Sequence, residues 1–103
     1  MSNIFSEIPS DLTAEVFETL VKSDSVTIER IVSKGHSSPE SGWYDQPTAE
    51  WVIVLKGSAE LIFENKAPLR LEAGDYVNID AHQKHKVSWT DPGVETVWLA
   101  IHY

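Results

Sequence analysis

The sequence predicts an all-β domain, a barrel or sandwich of seven or eight short strands. Three observations carry that expectation. Short apolar and β-branched runs recur along the whole chain, clusters of Gly, Pro, Asn and Asp punctuate them, and helical spacing shows only near the N-terminus.

The elements follow in order. In residues 9–20, Ser10 or Asp11 could cap a short helix with Leu12, Val16, Phe17 and Leu20 on one face. The stretch 16–21 reads equally well as an edge strand, and both readings stay open. Residues 26–33 form the first β-rich run, with Val26, Ile28 and Val32 sharing a face. Residues 35–47 are loop-rich, broken by Ser37-Ser38-Pro39 and Ser41-Gly42. Trp51-Val52-Ile53-Val54-Leu55 is continuously apolar, as expected of a strand covered on both faces. Lys56-Gly57 turns the chain into 58–64, where Ala59, Leu61 and Phe63 alternate with Glu60 and Glu64. Asn65-Lys66 makes a hairpin into 67–71, Ala73-Gly74-Asp75 turns into 76–79, and 84–90 follows after another loop. Asp91-Pro92-Gly93 makes the last turn before 94–103. In the strand 84–90, alternation puts His85, Val87 and Trp89 on the inward face, away from Lys84, Lys86 and Ser88. His102 alternates with Leu99, Ile101 and Tyr103 and is expected to point away from that apolar set.

With 103 residues the chain is expected to be one domain, with a barrel core at about 26–103 and an N-terminal extension over 1–25. Sixteen Asp and Glu against eight Lys and Arg leave a net charge of −8. A surface that negative repels phosphate backbones and anionic lipid, so neither nucleic acid nor membrane is an expected partner. The lack of cysteine removes disulfides, thiolate catalysis and cysteine-based zinc sites. Residues 1–10 lack the basic and apolar runs of a secretory signal, and no apolar run reaches the roughly 20 residues of a membrane span, so the expected location is cytoplasmic. The serines sit in no Gly-x-Ser-x-Gly elbow, and no glycine-rich phosphate loop is present.

The segment from Gly74 to His85, Gly-Asp-Tyr-Val-Asn-Ile-Asp-Ala-His-Gln-Lys-His, resembles the second sequence motif of the cupins. Gly74 and His85 match that motif, whereas Asp80 stands where proline is usual and His82 where glycine is usual. The first cupin motif ends in a glutamate, six residues and a glycine, which Glu50 and Gly57 reproduce. Upstream of the glutamate the family carries His-x-His, and this chain has Trp43-Tyr44-Asp45-Gln46 instead. Over residues 26–103 the chain is therefore similar to small single-domain cupins of the RmlC-like superfamily. The resemblance implies a jelly-roll β-barrel, paired into a homodimer, with 16–21 free to cover a sheet edge.

The same resemblance implies a metal site, here with an altered ligand set. Leaving four residues between the second ligand and Glu50 places Asp45 at that position and Trp43 at the first; leaving three places Gln46 and Tyr44 there. The candidate ligands are Asp45, Gln46, Glu50, His82 and His85, with Tyr44 and Trp89 as candidate pocket walls. Oxygen and imidazole donors of this kind suit iron, manganese or zinc. Glu50, at the head of an apolar strand, serves equally as a buried structural carboxylate. Two functions follow as expectations: a metal-dependent dioxygenase, isomerase or lyase acting on a small polar metabolite, or a metal-free barrel that binds a metabolite or dimerises. The catalytic residues are not assignable at this level.

Overall fold

The computed structural model describes residues 2–39 and 41–103. Among these there are eight strands and no helix: β1 Val16–Lys22, β2 Thr27–Ser33, β3 Glu50–Lys56, β4 Ser58–Phe63, β5 Leu69–Glu72, β6 Tyr76–Ile79, β7 His85–Thr90 and β8 Thr96–His102. They form two antiparallel sheets, one of five strands in the order β1-β2-β8-β3-β6 and one of three in the order β5-β4-β7. The strand spacing implied a barrel or sandwich, and the two sheets take the jelly-roll form that the cupin resemblance implied.

The open question at residues 9–20 is decided for the strand. β1 pairs with β2 from Val16↔Val32 to Lys22↔Thr27, with a bulge at Leu20. Locally, the Asp11 carboxylate accepts the Thr13 backbone N–H at 3.1 Å and its hydroxyl at 2.8 Å, a turn that competes with helix initiation. Val16, Thr19 and Val21 are β-branched and favour extended backbone, and β2 would otherwise present unpaired N–H and C=O groups. β1 is thus a wall of the larger sheet, although the sequence had set it in an extension outside the core.

Register shows which side chains face inward. Glu50, Val52 and Val54 of β3 lie opposite His102, Ala100 and Trp98 of β8. Ala59, Leu61 and Phe63 of β4 face them from the smaller sheet, and these apolar residues are buried with Leu71 and Ile79 into one core. Trp98 donates its indole N–H to the Ser33 hydroxyl at 3.2 Å, so the largest core side chain has its polar atom satisfied. On β2 the inward set is Thr27, Glu29, Ile31 and Ser33, through the pairings Ile31↔Trp98 and Glu29↔Ala100. Val26, Ile28 and Val32 instead belong to the outer face, where apolar residues also line β3 and β8. There Val21, Ile28, Ile101 and Trp51 are register neighbours in one row, and Leu99, Ile53 and Tyr76 in the next. The continuous apolar run of β3 is therefore fully buried on one face only; Trp51, Ile53 and Leu55 remain half-buried on the other.

One end of the outer face is covered by the N-terminal segment. The buried Arg30 guanidinium donates to the carbonyls of Ile4 at 3.1 Å, Ser6 at 2.7 Å and Glu7 at 3.3 Å, and pairs with Glu18. A buried cation needs such partners, and these draw residues 4–7 onto the sheet.

Candidate functional site

His85 opens β7 on the inward face and is 5% exposed. Its backbone exchanges two hydrogen bonds with Tyr44, at 2.8 and 3.2 Å, which ties the irregular 41–49 segment to the barrel wall. The ring packs between Tyr44 and Phe63, with centroids 5.6 and 6.2 Å away. Its Nδ1 lies 2.9 Å from the Gln83 carbonyl. A carbonyl only accepts, so Nδ1 carries the hydrogen and Nε2 is left facing the interior. That Nε2 is 3.7 Å from Oε1 of Glu50, too far for a formed hydrogen bond but close for an ion pair. Burial opposes a charge on the ring. The Glu50 carboxylate and the Gln83 carbonyl more than offset it, and the His85 pKa lies above its ordinary value.

Glu50 is the first residue of β3, 8% exposed and paired in register with Ile79 on one side and His102 on the other. Gln46 reaches the same interior from the loop. Its backbone carbonyl accepts the His82 N–H at 2.7 Å, which fixes the loop, while its side-chain Oε1 is buried and has no hydrogen-bond partner.

These groups line a cavity of about 120 Å³ at the barrel mouth. Tyr44, Gln46, Glu50 and His85 supply one wall; Val52, Leu61, Ile79, Val87 and Trp98 form its apolar floor and sides. Glu29, His102, Glu15 and Phe17, from β2, β8 and the start of β1, complete the lining, with His102 the register neighbour of Glu50. His102 Nε2 lies 2.9 Å from Oε1 of Glu29, and Glu15 accepts the Ser33 hydroxyl. An arc of alternating carboxylate and imidazole, Glu29, His102, Glu50 and His85, thus crosses the two sheets.

The structure sorts the candidate residues into two groups. Tyr44, Gln46, Glu50 and His85 meet at the cavity. Asp45 and His82 pair with each other at 2.8 Å, with side chains 41% and 68% exposed, and do not line it. Alternation through 44–46 explains the split, because Tyr44 and Gln46 take the inward parity and Asp45 the outward one. The residues of the three-residue spacing, Tyr44 and Gln46, are the ones that line the cavity. His82 has φ of +62°, a left-handed conformation, at the motif position where glycine is usual.

Trp89 is a correction. A bulge at Ser88 shifts the β4–β7 register between Glu60 and Leu61, so Val87 faces Leu61 but Trp89 faces Glu60 on the outer surface. There its ring lies under the Arg70 guanidinium at 4.2 Å. Simple alternation fails because a single unpaired residue reverses parity.

Glu29 and His102 line the cavity and were not among the candidates read from the sequence. His102 does point away from Leu99, Ile101 and Tyr103, but those residues face outward, so its side chain enters the barrel. Both faces of β8 are apolar, and periodicity had no basis for choosing between them. The signal present was pairing potential: Glu29 and His102 sit on the less apolar parities of two strands.

The family model of the cupin domain matches residues 29–102. A search of curated proteins finds no match. Among solved structures, the chain is similar to a protein named provisionally as a mannose-6-phosphate isomerase from Ralstonia eutropha JMP134. The two share 43% identity over 99% of this chain and 95% of that one, with a TM-score of 0.95. An RmlC-like cupin from Methanocaldococcus jannaschii is 22% identical over 93% and 85% of the two chains, with a TM-score of 0.72. The DMSP lyase of Ruegeria pomeroyi DSS-3 is also 22% identical, over 99% of this chain and 53% of that one, with a TM-score of 0.74. Barrel topology, the Glu50–Gly57 and Gly74–His85 spacings and the matched span agree, and the chain belongs to the cupin domain family.

Proposed function

We propose that this protein takes a small polar molecule into the barrel and handles a proton on it, a chemistry of isomerase or lyase type. One observation carries the reading: the buried His85–Glu50 pair lines a cavity that opens at the barrel mouth. His85, with Nδ1–H held by the Gln83 carbonyl, presents the Nε2 lone pair to the cavity. There it would take a proton from an activated carbon of the ligand and return it to the same or a neighbouring atom, while Glu50 stabilises the imidazolium formed between the two steps. The provisional isomerase name of the Ralstonia protein and the lyase name of the Ruegeria protein support that class. Mannose 6-phosphate itself suits the cavity poorly. Among the described residues no Lys or Arg lines it to receive a phosphate.

A divalent ion is the second reading. Of the cavity residues, His85 faces Glu50 at 3.7 Å and His102 pairs with Glu29 at 2.9 Å, and among the described residues no three His, Cys, Asp or Glu side chains group as metal ligands. That is one strong donor fewer than transition-metal enzyme sites commonly provide. Gln46, Glu50 and His85 would hold iron, manganese or zinc, which would polarise a bound oxygen atom of the ligand. Metal analysis of protein purified without chelator, followed by titration of each ion, separates the two. Near-stoichiometric metal lost in Gln46→Leu and His85→Ala supports the second reading; no uptake by folded protein removes it.

For assembly, we propose a homodimer through the outer face of the five-stranded sheet. Val21 and Tyr76 are 53% and 65% exposed there, beside the half-buried Ile28, Trp51, Ile53, Leu99 and Ile101. A contiguous apolar face of that kind is uncommon on a monomer. Sedimentation at micromolar concentration checks it: a dimer that Trp51→Glu dissociates is expected, and a monomeric wild type overturns it.

A further inference from the structure

We propose that the ligand of the barrel is amphiphilic: an apolar body lies on an apolar shelf of the larger sheet and carries one polar group to the His85–Glu50 pair. The inference rests on the cavity being the ligand site and adds the class of ligand.

Phe17, Ile31, Trp98 and Val54 are register neighbours across β1, β2, β8 and β3, on the inward face. The row grades from rim to floor. Phe17 is 55% exposed, Ile31 is half-buried, and Trp98 and Val54 are buried. Five strands face three, and the smaller sheet packs over Trp98 and Val54 but leaves Phe17 open on the inner side. Phe17, Ile31 and Trp98 all line the cavity, so the apolar row runs unbroken from solvent to the interior. The 41–49 loop adds Tyr44, 43% exposed, to the same lining. Exposed apolar surface that continues into a concave apolar site marks a place of ligand contact.

The polar groups of the lining are of two kinds. Glu15 holds the Ser33 hydroxyl and Glu29 lies 2.9 Å from His102, so both are engaged within the protein. His85 Nε2 and Glu50 stand 3.7 Å apart without a formed hydrogen bond, and there a polar group of the ligand finds partners. Val52, Leu61, Ile79 and Val87 supply apolar surface to the same cavity. A ligand polar along its whole length would lose hydrogen bonds to water on entry and regain them at one end only. An apolar body instead gains by leaving water along the shelf.

The probes are 1-propanol, 1-butanol, 1-pentanol and 1-hexanol, with cyclohexanol and myo-inositol as a pair sharing one ring. Each is titrated into the full chain and followed by amide NMR shifts of the cavity residues. Affinity is expected to rise roughly two- to fourfold with each methylene, full burial of one corresponding to about fourfold. Cyclohexanol is expected to bind at least about tenfold more tightly than myo-inositol, which carries a hydroxyl on every carbon. Phe17→Ser should flatten the rise for the longer alcohols, and Phe17→Leu should keep most of it. A flat alcohol series in the wild type, or myo-inositol binding as tightly as cyclohexanol, overturns the amphiphile and leaves the cavity as a site for a polar ligand. An unchanged series in Phe17→Ser overturns the shelf, and dissociation of a dimer by that variant then assigns Phe17 to a second copy. No shift from any probe, with the fold intact, overturns the ligand site as well.

Discussion

Gly57 closes the turn between β3 and β4, and replacing it by alanine measures how tightly that corner is built. Its φ is +85°, and a Cβ placed there would lie 2.5 Å from Thr96 Oγ1, 2.7 Å from Thr96 Cα and 2.8 Å from the Glu95 carbonyl oxygen. Two of those neighbours are backbone atoms, and Thr96 is fully buried, so none can yield by a side-chain rotation alone. A left-handed alanine costs about 1–2 kcal/mol by itself. Displacing Thr96 also strains the bond from its hydroxyl to the Ser58 carbonyl, 3.2 Å long and worth about 1 kcal/mol. Overpacking adds about 1–3 kcal/mol. The sum, about 3–6 kcal/mol, is comparable to the whole stability of a domain this size, about 5–15 kcal/mol. Gly74 provides the control. Its φ is +94°, but nothing lies within 4 Å of the added Cβ, so Gly74→Ala should cost only the backbone share of about 1–2 kcal/mol. Urea unfolding followed by tryptophan fluorescence reads both, with the buried Trp98 as reporter. Equal costs for the two variants would refute the steric reasoning.

Three further outcomes are expected. The folded pKa of His85 is raised, so its charge stabilises the fold fully below the unfolded pKa, and that contribution disappears as pH rises through the folded value above its ordinary one; Glu50→Gln should lower the His85 pKa in an NMR titration, and an unmoved titration would exclude Glu50 as its cause. Gln46→Leu should hold or raise stability by about 1 kcal/mol in urea unfolding, because it removes a buried acceptor without a partner; a large loss of stability would show that the amide is structural. His82→Val should cost about 1–2 kcal/mol through its left-handed backbone, whereas His82→Gly stays within about 1 kcal/mol of wild type in thermal unfolding; the opposite order would mean that the exposed pair with Asp45 governs this loop.

The sequence by itself determined the barrel class, the order of its strands from residue 26 onward, and the two residues on which the cavity turns. Glu50 and His85 were legible because a motif spacing and a strand position agreed on each. Turn chemistry was equally legible, since Lys56-Gly57 and Asn65-Lys66 carry their backbone requirements in their residue types. Parity was not. One bulged residue at Ser88 sent Trp89 outward, and two apolar faces on β8 hid the direction of His102. Register is set by which strands meet and where they slip, and that is a property of the pair, not of either strand. The choice between Asp45 and Gln46 was of the same kind, fixed by the two backbone hydrogen bonds that pair Tyr44 with His85 along the barrel wall. Tertiary structure alone therefore decided that Glu29 and His102, remote in sequence from both motifs, stand beside Glu50 and His85 around one acidic cavity.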